Sequence, residues 1–179
     1  MRKLIVSEFM SLDGIVEDPQ WTFPYWNDDT AAFKAEESLT SDALLLGRVQ
    51  YEQFAAVWPG RTDDDGAAFF NSVRKYVISK TLKSADWNNS VILSGNLADE
   101  VAKLKKEDGK DIYVHGSITL AQGLTKLGLV DQYRFLVYPL TLGKGKRMFS
   151  DDMEVKLKLV DSKTTSMGVL ALVYEPEKK

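Results

Sequence analysis

Short runs of β-branched and aliphatic residues recur along the chain, bounded by turn formers, and most are followed by a stretch with helical spacing of apolar positions. Lys3 to Phe9, Ala43 to Leu46, Lys75 to Ser79, Ser90 to Leu93, Ile112 to Val114, Gln132 to Tyr138, Val155 to Val160 and Val169 to Tyr174 are predicted strands. Asp29 to Thr40, Val49 to Ala56, Ala67 to Ser72, Leu97 to Lys105 and Leu120 to Leu127 are predicted helices. Asn96 is placed to cap the fourth helix, with Asp99 and Glu100 near its positive end, and Gly128 stops the fifth. The expected class is α/β with one large eight-stranded sheet. No helical segment separates the last three strands, and Pro139 to Gly145 and Asp161 to Gly168 read as turns between antiparallel neighbours. A parallel sheet finished by an antiparallel hairpin is the consequence.

No repeat, low-complexity tract or linker divides the chain, so residues 1–179 read as a single domain. Gly60 to Gly66, with Asp63-Asp64-Asp65, is the most polar segment and reads as a surface loop. Without further oxygen ligands at fixed spacing, those acids do not make a cation site. With 23 Lys and Arg against 26 Asp and Glu, the net charge of −3 gives no general attraction to nucleic acid or to an anionic membrane, yet permits a local basic pocket. The absence of Cys removes disulfides, thiol catalysis and thiolate metal sites, and His115, the only imidazole, makes a zinc hydrolase a poor expectation; no metal is expected. Met1-Arg2-Lys3 leads into a short apolar run broken by Ser7 and Glu8, which suits neither a signal peptide nor a spanning helix, so a cytoplasmic location is expected.

Three times the chain leaves a buried strand through small or basic residues: Leu46-Gly47-Arg48-Val49, Ile78-Ser79-Lys80-Thr81 and Val114-His115-Gly116-Ser117. Ligands bind at such strand ends in open α/β sheets. Gly47 admits close backbone approach, the helix after it offers free N–H groups, and Arg48 can fork onto a phosphate. Ser79, Lys80 and Thr81 supply hydroxyls and an ammonium for another face of the same anion, and Gly116-Ser117 can cradle a pyrophosphate on backbone N–H groups. Neither GxGxxG nor GxxxxGK[ST] occurs, so a dinucleotide would be held by some other fold.

Four segments carry a family resemblance: Ser11-Leu12-Asp13-Gly14; Leu45-Leu46-Gly47-Arg48-Val49-Gln50-Tyr51-Glu52; Val114-His115-Gly116-Ser117; and Gly128-Leu129-Val130-Asp131 followed by Tyr138-Pro139-Leu140-Thr141-Leu142-Gly143-Lys144-Gly145 with Met148-Phe149. In these the chain resembles the dihydrofolate reductase-like superfamily, most closely the reductase domain of the bifunctional riboflavin biosynthesis protein. The resemblance implies a mixed eight-stranded sheet and NADPH as cofactor. It implies that Gly47 and Arg48, followed by Val49, meet the 2′-phosphate with help from Ser79, Lys80 and Thr81. Gly116, Ser117 and Ile118 would form the pyrophosphate turn, and Ser11 to Gly14 the loop over the nicotinamide. Gln50 stands where dihydrofolate reductases usually have Thr, and His115-Gly116-Ser117 replaces a glycine-richer turn; His115 either fills that turn or touches a ligand.

Chemistry of this class needs donor and acceptor aligned and, for a C=N substrate, a proton. The helix start Asp29-Thr30-Ala31-Ala32-Phe33-Lys34 resembles the one that carries the orienting carboxylate in dihydrofolate reductase. Asp29 is therefore the leading candidate, with Asp13 second and Asp28 competing, although a first-turn acid is also an ordinary partner for a helix dipole. Trp21 and Trp26 bracket an aromatic segment suited to a planar heterocycle, to a dimer contact or to plain core packing. The expected activity is NADPH-dependent reduction of a small pterin- or pyrimidine-type or carbonyl compound. The alternatives are the riboflavin-pathway 5-amino-6-(5-phosphoribosylamino)uracil reductase and a non-catalytic nucleotide-binding module. A homodimer is expected, because no helix follows to cover the outer face of Arg134-Phe135-Leu136-Val137-Tyr138.

Overall fold

The computed structural model describes residues 1–62 and 65–177; Asp63 and Asp64, the middle of the expected acidic loop, lie outside the described residues. The strands are β1 (Leu4–Ser11), β2 (Ser41–Gly47), β3 (Arg74–Ile78), β4 (Ser90–Leu93), β5 (Asp111–His115), β6 (Gln132–Tyr138), β7 (Leu157–Thr164) and β8 (Leu170–Pro176). The helices are α1 (Asp28–Thr40), α2 (Arg48–Val57), α3 (Asp65–Ser72), α4 (Leu97–Lys106) and α5 (Ile118–Lys126). Short 3-10 turns at Pro19–Tyr25 and Trp58–Gly60 complete the set. Asn96 caps α4 by accepting from the Ala98 N–H at 2.9 Å, and Gly128, at φ +65°, closes α5 with its N–H on the Thr125 carbonyl.

The strands form one mixed sheet of order β4-β3-β2-β5-β1-β6-β8-β7, parallel from β4 to β6 and antiparallel at β8 and β7. This is the dihydrofolate reductase-like architecture the sequence led us to expect. On one face Leu4, Val6 and Phe135 pack with Val101 and Leu104 of α4 and Leu120, Ala121 and Leu124 of α5. On the other face Ile5, Leu44, Leu46 and Tyr113 meet Tyr51 of α2 and Phe69 and Phe70 of α3, while Leu136 and Tyr138 meet Phe33 of α1 and Trp21. No helix among the described residues is long and apolar enough to cross a membrane.

Two expectations need correction. The segment from Pro139 does not turn β6 into an antiparallel neighbour, because β8 lies between β6 and β7; only β7 and β8 form a hairpin. Nor is β6 uncovered. Tyr133 and Phe135 enter the core on one face and Leu136 and Tyr138 on the other. The exposed strand is β7, at the sheet edge, with every residue except Leu157 exposed.

The long return from β6 is spent on the loop after β1. The Val16 N–H donates to the Lys146 carbonyl and the Met148 N–H to the Gly14 carbonyl, at 2.9 and 3.0 Å, around an Ile15–Arg147 bridge. Gly14 sits at φ +81°, which an L side chain would strain. The Asp13 carboxylate fixes the loop tip, accepting from the Leu142 N–H at 3.1 Å, the Gly143 N–H at 2.7 Å and the Ser11 hydroxyl at 2.6 Å. These bonds to the anion hold its pKa at about 2, so the clamp is closed above the ordinary Asp range and opens as pH falls towards 2. Asp13→Ala is expected to speed amide hydrogen exchange in residues 12–18 and 139–149 together while strand protection stays unchanged; acceleration of only one loop would refute the joint clamp.

Candidate active site

The central strands part where the candidate site begins. β1 and β5 pair as far as Ser7 and His115, after which β1 continues beside β6 to the Ser11–Tyr138 pair and β5 ends. β1 leads through α1 to β2 on one side, and β5 leads through α5 to β6 on the other, so their crossovers lie on opposite faces. Such a reversal opens a crevice beyond the strands' carboxyl ends, the usual ligand position in open α/β sheets.

Register brings the three basic or glycine-bearing strand ends side by side. Gly47 pairs with Ile78, which sets Arg48 beside Ser79 and Lys80, and β5 follows on the other side of β2. The Gly47 N–H donates to the Ser117 hydroxyl at 3.0 Å, joining the first residues before α2 and α5. Neither of these helices has a side-chain cap, whereas α1 carries a capping box from Asn27 and Thr30 and α4 is capped by Asn96. Uncapped N–H groups of two adjoining helix starts are a fit for an anion. Gly116 is held at φ +62°, and a Cβ there would come within 2.6 Å of the Gln50 side-chain oxygen, so the departure at Gln50 closes down on the backbone turn. Arg48 is half-exposed and, among the described residues, pairs with Glu52, four residues on, at 2.9 Å. The Ser79 hydroxyl accepts from the Thr81 and Leu82 N–H groups and shapes its turn, while Lys80 is exposed.

Below the parting, Ser7, His115 and Arg134 stand in register across β1, β5 and β6, and α1 lays Lys34 and Glu37 over them. Glu37, 2% exposed, accepts from the Ser7 hydroxyl at 2.7 Å and from Lys34 Nζ at 2.6 Å, and lies 3.5 Å from Arg134 Nε. Lys34 also donates to Ser7 and stands 3.4 Å from His115 Nδ1. An ammonium has no acceptor to offer, which assigns the imidazole proton to Nε2, 3.5 Å from Glu37. Burial, helped by Lys34, pushes the His115 pKa well below its ordinary value, so the ring is neutral and stacks between Tyr113 and the edge of Phe70. One residue beyond the last β1–β5 pair, Glu8 is buried between the parted ends with Oε1 unpartnered; burial pushes its pKa up to about 8, against the pull of Lys34 and of the Gly116 amide.

A family model described as the RibD C-terminal domain matches residues 2–171. The chain belongs to the RibD C-terminal domain family. Its relatives include the uncharacterized proteins YyaP and YwjB of Bacillus subtilis (strain 168). YyaP is 32% identical over 97% of this chain and 94% of its own length, and YwjB 25% identical over 94% and 95%. A putative riboflavin biosynthesis protein from Shewanella sp. PV-4 shares the fold with a TM-score of 0.77 at 20% identity, over 98% of this chain and 99% of that one. Enterococcus faecalis dihydrofolate reductase complexed with NADP(H) does so with a TM-score of 0.63 at 16% identity, over 98% and 97%.

In this family member the two candidate carboxylates, Asp29 and Asp13, both accept hydrogen bonds from loop backbone N–H groups. Asp29 accepts from the Ser166 N–H at 3.0 Å and lies 3.6 Å from Lys163, which together lower its pKa and tie the start of α1 to the β7–β8 turn. Asp13 holds the loop tip described above. Trp21 packs edge-on against Tyr138 in the core, with ring centroids 5.4 Å apart, and donates its indole N–H to the Glu17 carbonyl. Trp26 is half-exposed and meets the edge of Phe9, whose ring lies 5.2 Å from Lys34 Nζ. Of the two tryptophans, Trp21 is the more buried. The sequence reading missed Glu8, Lys34, Glu37 and Arg134; two polar residues inside a central parallel strand were the available signal.

Removing the Glu37 charge leaves Lys34 without its counter-ion and strips Arg134 of one of its two, Glu36 remaining. Glu37→Gln should lower unfolding free energy by about 3 kcal/mol in urea denaturation, the usual cost of breaking a buried pair. Asp29→Asn, at an exposed site, should leave the midpoint almost unmoved. Equal effects of the two substitutions would contradict this ranking.

Proposed function

We propose that this domain is an NADPH-dependent reductase of small planar heterocyclic compounds of pterin or pyrimidine type, or of small carbonyl compounds. The observation that carries the reading is the convergence of two uncapped helix starts at the Gly47–Ser117 contact, beside Arg48, Ser79 and Lys80. The residues present fit a dinucleotide phosphate. Arg48 and Val49 at the start of α2 and Ser117 before α5 would offer backbone N–H groups, the close Gly47 and Gly116 backbone would admit the phosphate, and Arg48, Lys80, Ser79 and Thr81 would surround the place of a further one. NADPH supplies hydride when bound. The chain's part is to align the acceptor: Phe9 and Trp26 give an aromatic wall, Lys34 sets positive charge at the mouth, and Gly14 and its loop lie over the β1 end. The specific alternative, reduction of 5-amino-6-(5-phosphoribosylamino)uracil, draws support from a Thermotoga maritima protein titled as the corresponding deaminase and reductase. It is matched at a TM-score of 0.69, with this chain covering 56% of its length.

An exposed Arg–Glu pair four residues apart on a helix is worth only about 0.3–0.5 kcal/mol, whereas a charge-assisted bond to phosphate contributes roughly 1.5–3 kcal/mol, so Arg48 can leave Glu52 for a phosphate. Fluorescence titration should show NADPH bound about tenfold or more tightly than NADH, with the preference largely lost in Arg48→Ala. Equal affinity of the wild type for both nucleotides would overturn the assignment.

A homodimer is part of this reading, with its surface moved from β6 to β7. The outer edge of β7 has no neighbouring strand, and Leu159, Val160 and Leu170 of the hairpin are exposed. Light scattering at micromolar concentration should give twice the chain mass of 20.1 kDa, and Leu159→Lys with Val160→Lys should halve it. A monomer mass for the wild type would remove the dimer from the proposal.

A further inference from the structure

Among the described residues, Glu8 Oε1 is the buried carboxyl oxygen without a hydrogen-bond partner. Its place makes that unusual. The preceding residue on the same face of β1 is Val6, fully buried in the core, and a Leu or Val at position 8 would continue the face at no polar cost. The carboxyl lies where β1 and β5 have just separated, with the Gly116 amide reaching it from the β5 side and Lys34 and Glu37 acting on it from α1. On the same face the uncapped start of α5 borders the crevice, while Phe9, the next residue of β1, points to the opposite face.

We propose that Glu8 is the specificity residue of this crevice, receiving in its protonated form the planar amide edge of a bound ligand, an N–H beside a C=O. A protonated carboxyl offers one O–H donor next to one C=O acceptor, which complements such an edge with two bonds; an ionised carboxylate offers acceptors only and meets the ligand C=O with like polarity. Burial keeps the acid form up to about pH 8. The groups facing it leave that balance in place: Lys34 favours the anion but is shared with Glu37, Glu37 opposes the anion, His115 is neutral, and Arg134 of β6 pairs with Glu36 and Glu37. The inference rests on the reductase reading. There the amide edge has two sources, a lactam of the substrate ring or the carboxamide of the nicotinamide.

Three probes separate them: NADP⁺, adenosine 2′,5′-bisphosphate, which lacks the nicotinamide, and pteridine-2,4-dione, a planar bis-lactam. Calorimetric titration of wild type, Glu8→Gln and Glu8→Leu at about pH 6.5 and pH 9 is expected to leave the adenosine bisphosphate unaffected by either substitution. Glu8→Leu should weaken NADP⁺ tenfold or more if the carboxamide is the edge recognised, or pteridine-2,4-dione if the lactam is. Glu8→Gln, which keeps a donor beside an acceptor, should retain most of the affinity and abolish the weakening that wild type shows at the higher pH. The folded-state pKa is raised above the unfolded value, so the stability the group contributes is full below about pH 4.5 and is lost as pH rises through 8. The melting point of wild type should therefore fall relative to Glu8→Leu across that window. Unchanged binding of both amide probes to Glu8→Leu overturns the proposal, as does a wild type that binds neither probe. If Glu8→Leu does not fold, Glu8→Gln decides, and wild-type pH dependence in that variant refutes the proposal. Failure of the adenosine bisphosphate to bind counts against the cofactor reading, and the pteridine arm then decides on Glu8.

Discussion

Lys34 and Arg134 reach the middle of the sheet from different elements, and the Glu37 carboxylate stands between them, 2.6 Å from Lys34 Nζ and 3.5 Å from Arg134 Nε. The desolvation of three charged groups has to be offset locally, because little water reaches the face that α1 covers. The consequence is a helix seated on the sheet by charge as well as by Phe33 and Thr30. That seat fixes where Lys34 stands relative to the Phe9 ring, helps bury His115 and sets an ammonium beside it, which in that order keep the ring neutral, and starts at the Asn27 cap next to Trp26. An apolar helix could slide along an apolar sheet at modest cost; one carrying this set of bonds has a single register.

Much of the fold was legible because it depends on local pattern. Gln132–Tyr138 and Ser90–Leu93 have the strand limits that their apolar runs suggest, and Asn96 and Gly128 end their helices for reasons carried by one residue each. The small and basic residues at three strand ends were also readable as types, and β-sheet register then made them neighbours. The polar interior was not legible in the same way. Helix reading by apolar spacing assigns Lys34 and Glu37 to solvent, yet their partners Ser7, His115 and Arg134 come from three strands that only the topology aligns. The two aspartates singled out from the sequence show the converse: their partners are backbone N–H groups of residues 142, 143 and 166, which leave no trace in side-chain pattern.

The contrast among the helix starts has one physical source. Asn27 and Asn96 each spend a side-chain oxygen on the first turn of their own helix, while Ser117 gives its hydroxyl oxygen to the Gly47 amide of another element. A hydroxyl that could have capped α5 instead holds the starts of α2 and α5 together at one end of the sheet. Local satisfaction is exchanged for long-range placement, a frequent mark of a binding region.

The sheet order also bears on how the chain is made. β1 precedes its neighbours β5 and β6 by a long stretch of chain: Leu4 pairs with Ile112 and Ile5 with Gln132. Until those strands have been synthesised, the β1 run and its two embedded polar residues have no native partner on either side. The hairpin at the end meets a related order, since β8 must arrive before β7 has any strand to lie beside. Pairing across such sequence distances is slow. The nascent chain therefore carries an unpaired central strand through most of translation, and the crevice, framed by the first strand and the fifth, is among the last features to take shape.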